Sequence, residues 1–171
     1  MSFTNTSQPH DNPDDQVSDI IVEQVFKAPR QIVFDAWTQQ EHLVQWWAPE
    51  GCRITHCTVD FRVGGTFHWC IEIPPDRQIW ARGIYREIAP PERLVYVDSF
   101  ADARGNRVSP SYYDMSAAHP LESVVTVTFA DLGSDTRVVL RHTIPASVPE
   151  RDDTAEGWSQ MFERLAIHLK G

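Results

Sequence analysis

Residues 32–49 read IVFDAWTQQEHLVQWWAP, and the adjacent indoles Trp46 and Trp47 near the end of this segment decide how the chain is read. Ile32, Val33, Ala36 and Trp37 fall at helical spacing, and Pro29 suits the first turn of a helix. Thr38 followed by Glu41 resembles a capping box and predicts a second short helix. Helices this short cannot hold a core alone. They make sense as a plug at the open end of a curved sheet, an arrangement that encloses a cavity.

The flanking sequence supplies that sheet. Ser18 to Ala28 is a β-branched strand stopped by Pro29. After the plug come strand-like runs at Cys52–Phe61, Thr66–Pro74, Gln78–Ile88, Arg93–Phe100, Glu122–Asp131 and Thr136–Ile144. Residues 150–170 close the chain, with Trp158, Met161, Phe162, Leu165, Ala166 and Leu169 on one helical face. This order defines an α+β layout in which a sheet of about seven strands bends around the last helix. Residues 1–17 are polar, acidic and Pro-containing and read as a flexible tail before a single domain at 18–171. The long connection 101–120 belongs to neither neighbouring strand and is placed to cover a pocket mouth or to form a subunit contact, so a homodimer is allowed.

One hairpin register can be argued. A three-residue loop over Val63-Gly64-Gly65 sets Phe61 opposite Phe67, Val59 opposite Trp69 and Cys57 opposite Ile71, with all six on one face. Cys57 and Cys70 then point to opposite sides of the sheet, which disfavours a disulfide.

Composition narrows the function. The formal charge is −9; Asp11, Asp14, Asp15 and Asp19 supply four of these charges, leaving −5 for residues 20–171. Such a surface repels phosphate backbones and anionic lipid, so neither nucleic acid nor membrane is expected as a partner. Three cysteines, no signal-like stretch and no apolar run of about 18 residues predict a reduced, cytoplasmic protein.

Read in order, VFDAWT, EHL, WW, DFRVGGTF, RGIYREIAPPERLVYVDSF, VTVTF, TRVVLRHTIP and EGWSQMFERLAIHL resemble one family over roughly residues 18–170. It is the family named for the C-terminal domain of the activator of heat-shock-protein-90 ATPase, within the START-like (SRPBCC) superfamily. The resemblance implies a helix-grip fold. Relatives across the superfamily include lipid carriers, polyketide cyclases and aromatases, hormone receptors and allergens, so fold alone leaves function open. The eukaryotic activator carries a separate N-terminal domain for which this chain has no room, which weighs against a chaperone partner.

The residues themselves favour binding over catalysis. Cys52, His56, Cys57, His68 and Cys70 lack metal-ligand spacing, since strand residues four apart are separated by about 13 Å. No nucleophile elbow or phosphate-cradling loop occurs, and no metal or cofactor is expected. His142 alternates with Leu140 and Val138 and points inward, where it could assist a cyclisation or dehydration, or simply be a core histidine hydrogen-bonded to a neighbour. Tyr96 and Asp98 share a face with Leu94, and Tyr85 shares one with Gly83 and Ala81. The expected pocket residues are Trp47, Phe67, Trp69, Tyr85, Tyr96, Asp98, His142, Trp158, Met161 and Phe162, around a small hydrophobic or aromatic ligand. Arg82, Arg86 and Arg93 read as the solvated outer face of the sheet.

Overall fold

The computed structural model describes residues 17–171, so nearly all of the expected tail lies outside the described residues. Strand β1 (Val17–Phe26) leads into helices α1 (Arg30–Thr38) and α2 (Gln40–Trp46). Strands β2 (Arg53–Val59), β3 (Thr66–Ile73), β4 (Arg77–Ala89), β5 (Arg93–Ala101), β6 (Ser123–Asp131) and β7 (Thr136–Pro145) follow, and helix α3 (Arg151–Leu169) closes the chain. All pairings are antiparallel, in the order β1-β7-β6-β5-β4-β3-β2, with the last helix held against the curved sheet: an α+β helix-grip fold. Among the described residues no helix is long and apolar enough to cross a membrane.

Alternation builds the inner wall. In β7, Val138, Leu140, His142 and Ile144 are buried while Arg137, Val139, Arg141 and Thr143 are not, as a half-covered strand requires. Helix α3 answers with Trp158, Met161, Phe162 and Leu165, its buried face. The plug buries Val33, Phe34, Trp37, Leu43 and Trp46. Both indoles of the decisive pair are buried. The helix ends at Trp46 with Trp47 as its C-cap, so the backbone turns there and sends the Trp47 ring toward Phe67 and Trp69 of the sheet. Trp46 stays behind, its Nε1–H donating to the Ala36 carbonyl at 2.9 Å. Trp37 sits at the centre of this layer, 4.7 Å from Trp46 and 5.8 Å from Phe162, ring centre to ring centre. Each such edge-on pair contributes about 0.5–1.5 kcal/mol beyond its burial.

Two local expectations are corrected. The β2–β3 pairing sets Val59 opposite Phe67 and Cys57 opposite Trp69, two residues away from the expected register. Chain reversal is wider because the Asp60 and Gly65 amides bond locally, to Thr66 and Arg62, and Gly64 (φ +82°) bonds across to Tyr85. A shift of two keeps every side chain on its face, so the expected facing survives. No capping box forms at α2: its N-cap is Gln39, and the Thr38 hydroxyl donates back to Phe34 O at 3.1 Å.

The outer face is partly covered. Residues 102–107 fold over it, with the Asp102 side chain accepting from the Arg104 and Asn106 amides at 2.9 Å. Arg82 donates to Gly105 O at 2.9 Å and His68 meets Asp102 O at 3.0 Å, so Arg82 is half-buried rather than solvated.

Candidate functional site

A cavity of about 600 Å³ lies between α3, the end of α2 and the inner face of the sheet. Of the residues expected there, Trp47, Trp69, Tyr96, Asp98, His142, Trp158 and Met161 line it. Three do not, because each is one layer back. Phe67 packs against Trp69 at 4.4 Å and Trp47 at 5.2 Å, Tyr85 lies edge-on to Phe61 at 5.3 Å, and Phe162 meets Phe26 at 5.7 Å. They hold the wall in place. Gly83 is required behind it, since a Cβ there would come within 2.8 Å of the Tyr96 ring.

Cross-strand register assembles the polar end. Asp98 on β5 pairs with Ser123 on β6, and the neighbouring Val125 pairs with His142 on β7. His142 Nε2 lies 2.7 Å from Ser123 Oγ and 3.9 Å from Asp98 Oδ2, while Trp158 Nε1–H donates to His142 Nδ1 at 3.1 Å. An indole nitrogen can only donate, so Nδ1 carries a lone pair and the imidazole proton resides on Nε2. Burial, helped by His119, lowers the His142 pKa to about 4, so the ring is neutral at pH 7. Burial pushes the Asp98 carboxyl up to about 7, with its side chain 27% exposed into the cavity. Tyr96, buried beside it, is held well above the ordinary tyrosine value by burial and then by Asp98. Hence His142 orients Ser123 and Trp158, and Asp98 is the group at this end that changes charge near neutral pH.

A pocket mouth was one of two places expected for the 101–120 connection, but the residues of the rim were not foreseen. Arg77, Asp114, Met115, His119, Glu150 and Asp153 surround the opening. After crossing the outer face, the 101–120 connection returns to the mouth: Ser116 donates from its amide (2.6 Å) and its hydroxyl (3.0 Å) to Glu150. Those bonds hold the Glu150 carboxyl below its ordinary value. Tyr113 anchors the turn, donating to Ala101 O at 2.6 Å and accepting from the Trp80 amide at 3.1 Å. The Tyr112-Tyr113 pair was the available signal, because a long polar connection rarely keeps two rings without packing one.

Among the candidate metal ligands, Cys57 is paired with Trp69 on the inner side, whereas His56, His68 and Trp80 form a ring cluster on the outer side. No group of three or more such ligands converges among the described residues.

With this geometry in place, comparison with known proteins becomes informative. The family model described as activator of Hsp90 ATPase homolog 1-like protein matches residues 27–170. The chain belongs to this family. Solved members and neighbours share the fold. An AHSA1 protein from Silicibacter pomeroyi superposes with a TM-score of 0.71 at 20% identity, covering 90% of this chain and 98% of that one. A protein from Arthrobacter aurescens gives 0.74 at 20% identity, with 92% of each chain covered. One from Chromobacterium violaceum gives 0.68 at 25% identity, covering 88% and 96%. Among curated proteins none matches the chain.

Proposed function

We propose that this family member binds a small hydrophobic or aromatic ligand in the cavity between α3 and the curved sheet, as a single-domain cytoplasmic protein. The observation that carries the reading is the cavity itself: about 600 Å³, within the range of small-molecule sites, walled by Trp47, Trp69, Trp158, Ile79 and Met161 with polar groups gathered at one end. A core meant only for stability would fill such a space, because interiors pack to crystal density. Burying a ring-sized ligand there contributes several kcal/mol at about 25 cal/mol per Å² of apolar area, less the cost of ordering it.

A cofactor-independent cyclase or dehydratase would need proton transfer at the buried end. His142, the residue alternation singled out for that role, has both nitrogens engaged, by Ser123 and Trp158, and offers no free nitrogen to a substrate. The chaperone-stimulating role carried in the family's name draws on no feature of the cavity.

Ala81 lines the cavity on β4, so Ala81→Trp fills it. Neutral Nile red should gain fluorescence on binding the wild-type chain, and the variant should lose about tenfold or more in affinity while remaining folded by circular dichroism. Equal binding by both proteins would place the dye elsewhere and refute the assignment.

A further inference from the structure

Asp98 is an acidic side chain without a counter-charge. Among the described residues its only basic neighbour within salt-bridge distance is His142 Nε2 at 3.9 Å, and that imidazole is neutral. No hydrogen-bond donor reaches its carboxylate among the described residues, and the Tyr96 hydroxyl on the same wall also enters no hydrogen bond there. With no protein donor of its own, this carboxyl is open to a charged or donating group that enters the cavity.

Two further observations fix the aromatic body and the sign of what would complete it. The Trp47 ring plane stands at 88° to Trp69 and 81° to Trp158, so three indoles meet as the walls of a corner around the cavity. Such a corner offers an aryl body edge-on and stacked contacts on three sides. At the rim, Asp114, Glu150 and Asp153 face a single guanidinium, Arg77, which is already engaged with Tyr113 O at 2.8 Å. The approach therefore favours positive ligands and disfavours carboxylates and phosphates.

We propose that the ligand is an aryl-alkyl amine bound as its ammonium ion, with the charged nitrogen against Asp98 and the ring held among Trp47, Trp69 and Trp158. This rests on the ligand-binding reading above and names its chemical class. The ammonium supplies the donors that Asp98 lacks, and the aryl body fills the apolar volume.

Calorimetric titration with three matched probes tests it: 1-naphthylmethylammonium, 1-naphthalenemethanol and 1-naphthoate. The ammonium should bind the wild-type chain about tenfold or more tighter than the alcohol, and the carboxylate weakest. In Asp98→Asn the ammonium-to-alcohol ratio should collapse to within about threefold. A pH series on the wild-type chain, read against the same series on Asp98→Asn, gives a second arm. Asp98 shares this cavity with Tyr96 on its own strand, Arg77 on β4, His142 on β7, Asp114 and His119 from the connection, Glu150 and, on α3, Asp153, with Ser123 paired to it on β6 and Tyr85 behind the wall. Burial pushes the Asp98 carboxyl up to about 7, so ammonium affinity for the wild-type chain should rise about tenfold or more between about pH 5.5 and 8, and the rise should shrink to within about threefold in Asp98→Asn.

Alcohol or naphthoate binding as tightly as the ammonium would overturn the inference while leaving the ligand-binding reading intact. A ratio unchanged in Asp98→Asn would overturn the role of Asp98. Affinity falling with pH would instead show a protonated Asp98 donating to the ligand, again against the proposal. If no probe binds, both readings fall.

Discussion

At the scale of single residues, His142 and Asp98 titrate in opposite senses. The folded chain keeps His142 neutral down to about 4, whereas in the unfolded chain the imidazole charges near 6.5. Its contribution is present above the unfolded value and is lost as pH falls through that window. Asp98 holds its proton up to about 7 when folded but releases it near 3.8 when unfolded. That contribution is present below 3.8 and is lost as pH rises through 7. Each slope approaches about 1.4 kcal/mol per pH unit, so the two largely cancel between pH 4 and 6.5. Asp98→Asn should therefore expose the His142 slope, losing about 1 kcal/mol of stability per pH unit on acidification, while His142→Gln shows the reverse. Urea unfolding across that window measures both. Parallel profiles for the two variants would contradict the account.

At the scale of elements, Arg164 joins α3 to the plug. Its guanidinium donates to Ala48 O at 2.6 Å, Cys52 O at 3.1 Å and Pro49 O at 3.3 Å, satisfying carbonyls just past the end of α2. Pro49 and Cys52 line the cavity, so this clamp fixes one of its walls. Arg164→Met keeps the stem but removes the donors, and should cost about 1–3 kcal/mol in chemical denaturation. A change within about 0.5 kcal/mol would show that water satisfies those carbonyls equally well. Arg164 was invisible in sequence because a charged residue beside a helix's apolar face reads as solvated. The helices and strands themselves were legible from periodicity, with α3 the clearest through Trp158, Met161, Phe162 and Leu165. Turn chemistry was less so. The glycines at 64–65 marked the reversal, but only the backbone bonds of Asp60 and Gly65 fix its length.

At the scale of the whole molecule, the sequence showed which residues face inward but not which of them reach the void. Phe67, Tyr85 and Phe162 share faces with true lining residues, and depth within a face depends on sheet curvature, which no local pattern encodes. The polar end was half legible: Asp98 and His142 were found by alternation, but Ser123 needed the pairing of β5 with β6. The connection's place at the mouth was one of two open readings, but which rim residues it brings there was not legible, because it leaves the sheet, crosses the outer face and returns. A second depression of about 550 Å³ lies on the outer face beside Arg86, Val95 and Pro120. The six indole N–H resonances distinguish the two sites in one nitrogen–proton correlation experiment. On titration with 1-naphthalenemethanol, the signals of Trp47, Trp69 and Trp158 should shift saturably while that of Trp80, on the outer face, stays in place. No saturable shift at those three, or shifts confined to amides around Arg86 and Val95, would contradict a ligand held between the last helix and the sheet.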